Sequence, residues 1–258
     1  MSPQSVRQSF NRAATSYEAS ARLQQQVADQ LVQDIRASLP DRFSGRILDA
    51  GCGTGYCLNQ LHRRCPDATL FGIDFAEAML QQSARLSHAL TLNGDLQQLP
   101  LADSSIDLYV SSLAWQWCNT QQALHEAIRI LKPGAGLWLT TLVNGTFHEM
   151  TTACRDAGLS PAAHLLAMSP EEHVLTTFNA PALQRISARC KPITTWHADF
   201  SALRHSIRGV GANRLPSIQR EPIDRAARKR LIAAYETQRT PRGLPLTYQV
   251  LTIHAQRT

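Results

Sequence analysis

The sequence predicts an α/β fold in which helices cover both faces of a largely parallel sheet. Between residues 46 and 142, short apolar runs of strand length alternate with stretches of helical periodicity. The first run leads directly into glycines, in Asp49-Ala-Gly51-Cys-Gly53-Thr-Gly55, and a helical stretch follows it. Because strand, turn and helix in that order are the repeating unit of parallel sheets, these observations together favour this fold class.

Each element between residues 46 and 142 has its own local signal. The run at 107–112 is rich in β-formers, and the turn Lys132-Pro-Gly134 precedes the run at 136–142. A further strand, the third, is expected before Asn93-Gly-Asp-Leu96. Strands are therefore predicted at 46–50, 69–74, 107–112 and 136–142, and helices at 56–64, 76–87 and 121–131.

The flanking regions are predicted to be more helical. Apolar residues recur at helical spacing over 5–38, and Pro40 ends that segment. After about residue 144 we predict helices at 148–157, 180–189, 203–210 and 224–238, and strands at 193–200 and 246–255. We expect one domain over 1–258, made of an N-terminal helical cap (1–43), a core (44–143), and a helical lobe with the final strands (144–258).

Composition excludes several classes of protein. Hydrophobic residues make up 43% of the 258 and charged residues 18%, which is typical of a globular chain. No apolar run approaches the roughly 20 residues of a membrane span, and the N-terminus lacks the apolar region of a secretory signal. The six cysteines show neither CxxC nor zinc spacing, so we expect reduced, mostly buried thiols, no disulfide and no metal. A cytoplasmic protein is the simplest expectation.

Positive charge is concentrated late in the chain. Residues 1–184 hold 12 Lys/Arg against 16 Asp/Glu, whereas residues 185–230 hold 11 against 3. Such a segment either meets an anionic partner or forms a solvated helix face.

The glycine loop and several acidic residues indicate a nucleotide-type ligand. The loop has the spacing GxGxG, and Tyr56 stands where the dinucleotide fingerprint GxGxxG needs its third glycine, so an NAD site is excluded. Asp74 ends the second predicted strand, where a carboxylate can accept both ribose hydroxyls. Asp95 follows the third strand and Asp107 begins the fourth. Any one of these could merely cap a helix or end a strand, but the ordered series favours a ligand site.

This series resembles the class I S-adenosylmethionine (SAM) dependent methyltransferases over residues 46–142. The resemblance implies a Rossmann-like seven-stranded sheet whose last strand is antiparallel, with SAM as methyl donor. It implies that the glycines and Asp49 line the methionine end of SAM, that Asp74 holds the ribose, and that Asp95 and Leu96 flank the adenine. The residues expected to contact SAM are Gln24, Asp49, Gly51, Cys52, Gly53, Gly55, Asp74, Phe75, Asp95 and Leu96.

The flanks resemble one branch of that family over nearly the whole chain. The segments that carry this likeness are 10–18 with Leu23-Gln24, 113–118, 204–213 and 243–248. They are similar to the biotin-pathway O-methyltransferases that act on malonyl-acyl-carrier protein (malonyl-ACP). The resemblance implies methyl transfer to the free carboxylate of a malonyl thioester. Since a carboxyl group of pKa about 4 is already ionised at pH 7, the reaction needs no general base.

The acceptor requires a cation to hold its carboxylate, and arginine's planar fork suits that role. Arg204 and Arg208 lie four residues apart and would share one helix face, either reaching the substrate and its carrier or standing solvated. Tyr17 would either close over SAM or be a packing aromatic on the amphipathic N-terminal helix. Trp115 and Trp117 would wall the acceptor pocket, with at least one of them in the core. Catalytic roles are therefore predicted for Tyr17 and Arg208, and substrate contacts for Arg204, His205, Trp115 and Trp117.

The partner implied is an acidic acyl carrier protein bound by the basic segment 185–230, in which Arg214, Arg220, Arg225, Arg228, Lys229 and Arg230 are candidates. A monomer is expected, with no membrane partner. Three alternatives stay open: a SAM methyltransferase acting on another small acid or quinone precursor, an RNA methyltransferase, and a silent SAM-binding regulator. The RNA alternative is disfavoured because residues 204–230 contain no aromatic residue to stack on bases.

Overall fold

The computed structural model describes residues 3–14, 17, 21–209 and 223–258. Within them the helices are α1 (Pro3–Ala13), α2 (Arg22–Ser38), α3 (Tyr56–Arg64), α4 (Glu77–Leu86), α5 (Thr120–Ile130), α6 (His148–Asp156), α7 (Glu171–Thr177), α8 (Phe200–Gly209) and α9 (Arg225–Glu236). Short 3₁₀ helices cover Trp115–Trp117 and Pro161–Ala163. The strands are β1 (Arg46–Ala50), β2 (Thr69–Asp74), β3 (Leu90–Asn93), β4 (Ile106–Ser112), β5 (Leu131–Leu142), β6 (Leu183–His197) and β7 (Leu244–Arg257).

The seven strands form one sheet in the order β3-β2-β1-β4-β5-β7-β6. Strands β1 to β5 pair in parallel, and β7 runs antiparallel to both of its neighbours. The expected seven-stranded sheet with an antiparallel last strand is confirmed. Since parallel strands end at one edge, the loops that follow β1, β2, β3 and β4 meet there.

The predicted helix at 180–189 is wrong, because most of that stretch begins the 15-residue strand β6. Its Ala, Arg and Gln residues are good helix formers, but pairing with β7 along the length of the strand outweighs that weak local preference. Residues 184–189 of this edge strand are all exposed, so the stretch has no buried face of its own. Strand β5 begins five residues before the predicted start, so Lys132-Pro-Gly134 lies inside it.

Buried side chains cover both faces of the sheet and extend into a lobe. One cluster, with Leu48, Leu124 and Leu137, lies under α5, and a second, with Leu31, Leu58 and Val110, lies under α2 and α3. The lobe cluster joins α2, α6, α8 and α9 to the start of β7. Four of the six cysteines are buried, as expected. In the described residues no helix is long and apolar enough to cross a membrane.

Candidate functional site

Two adjoining cavities lie at the carboxyl edge of β1, β2 and β4. Tyr17, Gly51 and Gly53 line both of them. The first also has Asp74, Phe75, Asp95 and Leu96 in its wall, and the second has Gln24, Asp49 and Cys52. The structure thus brings nine of the ten predicted SAM contacts, together with Tyr17, into the walls of these two adjoining cavities. The tenth, Gly55, lies outside both linings.

The backbone of the glycine loop explains its composition. Gly51, Gly53 and Gly55 all have positive φ, at 80°, 53° and 86°, a region that side chains other than glycine rarely adopt. A Cβ on Gly55 would lie 2.5 Å from Ser83 Oγ, so this residue allows α3 to pack closely on α4. By contrast, a Cβ on Gly53 would meet nothing within 4 Å, which leaves room for a ligand beside that residue.

We expect Gly51→Ala to abolish ligand binding or to weaken it by at least about tenfold. Its Cβ would lie 2.4 Å from Ala114 Cβ, and φ of +80° adds backbone strain of the order of 1 kcal/mol. The loop after β4, whose Ala114 lines the first cavity, would then have to move. Calorimetric titration with SAM measures the effect. Gly134→Ala is the control, because its φ is also positive while its Cβ would meet nothing within 4 Å. Equal SAM affinity in the two variants would contradict the role given to Gly51.

Asp74 is held rigidly at the end of β2. Its Oδ2 accepts a hydrogen bond from the Gly53 amide (3.0 Å) and its Oδ1 accepts one from the Ala76 amide (2.8 Å). Burial raises the pKa of Asp74 to about 6, and the bonds from these amides oppose that rise. Each oxygen keeps a further lone pair, so the carboxylate can accept two hydroxyl donors from a ligand.

Asp49 and Gln24 place buried acceptors beside the second cavity. Both carboxylate oxygens of Asp49 and the Oε1 of Gln24 are buried, and among the described residues the one donor recorded for them is the weak Cys57 thiol beside Asp49. Desolvation, followed by the charge of Asp74, raises the pKa of Asp49 to about 7. Buried acceptors normally have partners, so this set calls for a cationic donor such as the ammonium of an amino acid.

The loop after β3 forms another wall. Asp95 Oδ1 accepts a hydrogen bond from the Gln97 amide (2.9 Å), and the Gln97 side chain donates to both carboxylate oxygens. Asp107 does not belong to this site. Its carboxylate accepts hydrogen bonds from Arg46 N and Lys132 Nζ at the opposite edge of the sheet.

Aromatic side chains cover the first cavity. The ring of Phe10 meets those of Phe75 and Trp117 edge to face, with centroids 6.2 and 5.6 Å apart. Phe10 and Met79 were not among the predicted contacts, although both line the cavity. The only sequence signal for Phe10 was its place in a predicted helix with apolar spacing. That spacing does not show which part of the molecule the helix covers.

Trp115 does not line either cavity, which corrects the predicted substrate contact. Its side chain is 1% exposed, its indole N–H donates to Tyr109 OH (3.2 Å), and its ring packs on Phe178. The 3₁₀ turn directs Trp115 into the core and Trp117 towards the cavity. Of the predicted pair, only Trp117 lies in the cavity wall.

Residues of α8 were predicted to bind the methyl acceptor, and those with described side chains lie outside the two cavity linings. Arg204 is half-buried and His205 is exposed, and neither lines the two cavities. Arg208 lies on α8, but its side chain falls outside the described residues, as do Arg214 and Arg220. Leu203 of the same helix is buried in the lobe cluster together with Leu113, which lines the first cavity. The roles of the α8 residues therefore stay predictions.

Comparison with known proteins identifies the family. A methyltransferase domain family matches residues 48–139, the part that holds the glycine loop and the acidic residues. The malonyl-[acyl-carrier protein] O-methyltransferase of Dechloromonas aromatica is 38% identical over 98% of this chain and 94% of its own length. The chain belongs to the malonyl-[acyl-carrier protein] O-methyltransferase family. It is accordingly a SAM-dependent methyltransferase, and the resemblance found in its sequence is confirmed.

Further similarities agree with this family. The biotin biosynthesis bifunctional protein BioHC of Teredinibacter turnerae is 32% identical over 98% of this chain, which spans 46% of that longer protein. Among solved structures, the YcgJ protein of Bacillus subtilis superposes with a TM-score of 0.57 over 88% of this chain and 97% of its own, at 17% identity. This last likeness supports the fold of the family only.

Proposed function

We propose that this protein transfers the methyl group of SAM to the free carboxylate of malonyl-ACP, an early step of biotin biosynthesis. The observation that carries the proposal is full-length similarity to relatives of that name, together with cavities whose buried acceptor groups fit SAM. Asp49 and Gln24 would accept from the ammonium of the methionine part. Asp74 would accept from the ribose hydroxyls, and Asp95, Leu96 and Phe75 would enclose the adenine.

The chemistry requires orientation and exclusion of water more than acid–base groups. SAM supplies an electrophilic methyl group, so an O–C bond forms as the S–C bond breaks, giving a methyl ester and S-adenosylhomocysteine. The malonyl carboxylate is ionised at pH 7, so no proton has to be moved. Tyr17 borders both cavities, where it would shield the reacting atoms from water, and Phe10 and Trp117 cover the adjacent half.

The substrate carboxylate needs a counter-charge, which we assign to Arg204 or Arg208. They lie one turn apart on α8, a helix whose Leu203 packs in the same cluster as Leu113 of the cavity wall. A bidentate guanidinium would fix the carboxylate in line with the methyl group.

The carrier partner needs a basic surface on the side of the cavity. The predicted basic segment 185–230 does not form one continuous surface. Strand β6 is about 45 Å long, and its first half lies towards the edge of the sheet opposite the cavities. There Arg189 is already paired with Asp34. Arg225, Arg228 and Lys229 are all exposed near the start of α9, and we call these three residues the α9 face; Leu231 and Tyr235, further along the helix, are buried in the lobe. No ion pair joins these three cations to other described residues. We assign carrier docking to this α9 face.

Reversing the charges of the α9 face should raise the KM for malonyl-ACP about tenfold and remove much of its salt dependence. The triple variant Arg225→Glu/Arg228→Glu/Lys229→Glu should keep its KM for malonyl-pantetheine, which has no carrier surface. The matched control Arg63→Glu/Arg64→Glu/Arg85→Glu changes the charge equally at exposed positions on the ends of α3 and α4. Steady-state kinetics with both acceptors makes the comparison. If both triple variants raise the KM for malonyl-ACP alike, the α9 face has no special role.

The pathway assignment is tested by genetic complementation. A bacterial strain lacking its malonyl-ACP O-methyltransferase should grow without biotin when it expresses this chain. The Dechloromonas aromatica relative is the positive control, and an Asp74→Asn variant of this chain is the negative control. Growth with the relative but none with this chain, at equal soluble protein levels, would contradict the assignment. A cytoplasmic location and a monomeric state stay predictions.

A further inference from the structure

We propose that Arg129, outside the cavity, is a positioning residue for the adenine side of the SAM site. It acts through the loop that follows β3, in which Asp95, Leu96 and Gln97 line the first cavity. This inference rests on the proposed SAM site. Nothing in the reaction itself uses Arg129, and its side chain is 26% exposed.

The guanidinium of Arg129 has a hydrogen-bond acceptor for each of its five N–H donors. Its Nε donates to Glu126 Oε1 (2.8 Å), and Nη2 donates to Glu126 Oε2 (2.8 Å) and to Leu99 O (3.0 Å). Its Nη1 donates to Leu101 O (2.8 Å) and to Asp103 Oδ1 (2.6 Å). Because all five donors are used, the guanidinium fixes the backbone at Leu99 and Leu101. A lysine, which has three donors, could not make the same set of bonds.

Glu126 completes the clamp from the same helix. Its Oε2 accepts from the Leu99 amide (2.7 Å), so both polar groups of the Leu99 backbone are held by the Glu126–Arg129 pair. The hydrogen bonds from Arg129 hold the pKa of Glu126 below its usual range, which keeps the pair ionised at neutral pH.

Helix α5 also holds the loop at a second point, Gln97. The Asn119 amide, which precedes the first turn of α5, donates to Gln97 Oε1 (2.9 Å), and the Gln97 side-chain amide in turn donates to Asp95. The loop is therefore attached to α5 at two points, Gln97 and Leu99, which directly follow the cavity-lining residues Asp95 and Leu96. Loosening the Leu99 anchor should change the position of Asp95 and Leu96 while leaving the methionine half, built on the β1 loop and α2, as it is.

The test separates adenine positioning from general stability. Arg129→Met should weaken SAM binding about tenfold and weaken competition by adenosine by the same factor, with kcat at saturating SAM within about twofold of wild type. Arg129→Lys should fall in between. The matched control is Arg36→Met, since Arg36 also contacts two loop carbonyls (Leu39 and Pro40) and one aspartate (Asp41), but at the end of α2. This control should lower the melting temperature and leave adenosine competition unchanged.

Several outcomes would overturn the inference. Unchanged adenosine affinity in Arg129→Met, or an equal loss in Arg36→Met, would show that Arg129 only stabilises the fold. If Arg129→Met does not fold, Arg129→Lys and Glu126→Gln carry the test, and wild-type adenosine affinity in both would exclude the role. Failure of the proposed function is a different result: wild-type protein would then bind SAM but transfer no methyl group to malonyl-ACP.

Discussion

Asp74→Asn is expected to lower SAM affinity by at least about 100-fold. Two hydroxyl donors to a buried carboxylate contribute about 1.5–3 kcal/mol each, and the variant loses the charge that strengthens both. The asparagine NH₂ would also face the amide N–H of Gly53 or Ala76, each of which now donates to a carboxylate oxygen. Isothermal titration with SAM and with S-adenosylhomocysteine measures the loss.

Asp107→Asn is the matched control for this prediction. Asp107 is also an aspartate beside a strand end, but its partners are Arg46 N and Lys132 Nζ at the opposite edge of the sheet. This variant should lose some stability and keep its SAM affinity. An Asp74→Asn protein that binds SAM as well as Asp107→Asn does would exclude the ribose contact.

Asp49→Asn should stabilise the ligand-free protein and still weaken SAM binding. In the folded state the pKa of Asp49 is raised to about 7 and that of Asp74 to about 6, against an ordinary value near 4. The folded protein therefore holds more protons than the unfolded chain between pH 4 and 7. By linkage, the stability of the ligand-free protein falls as the pH rises through that window.

Removing the buried charge at residue 49 should raise the melting temperature above pH 7 by about 4–8 °C, the equivalent of about 2 kcal/mol in a chain of this size. The gain should shrink towards pH 4, where wild-type Asp49 is already protonated. Because SAM is cationic, wild-type affinity should rise with pH between 5 and 8, and the variant's should rise less. Differential scanning fluorimetry across pH, with and without SAM, measures both effects. A variant that is less stable than wild type at pH 8 would contradict the buried charge at Asp49.

The residues that line the two cavities were largely predictable from sequence because these cavities depend on local features repeated at strand ends. The glycines at residues 51–55 and the acids Asp74 and Asp95 each follow an apolar run, and the parallel sheet brings those ends together. Phe10 was missed because its contact with Phe75 depends on how α1 crosses the sheet edge, which a helical pattern does not specify. Trp115 and Trp117 differ in burial only through the local 3₁₀ turn.

The late part of the chain was predicted less well for a different reason. The first half of β6 is an exposed edge whose partner strand β7 begins about 50 residues later along the chain, so no local pattern indicates the pairing. The basic residues of segment 185–230 are divided between β6 and α9 because the stretch predicted as a helix at 180–189 begins a strand instead. If the carrier docks on α9 as we propose, charge counted along the sequence overestimates the basic surface that the carrier can reach.

The most direct measurement uses SAM labelled in its methyl group with malonyl-ACP, malonyl-CoA, free malonate and unacylated carrier in parallel. The proposed function predicts label on the malonyl carrier as a base-labile methyl ester, with none on unacylated carrier and a lower rate for free malonate. SAM binding without label transfer to any malonyl substrate would contradict the proposed reaction. The acceptor would then be sought among other small acids and quinone precursors before RNA.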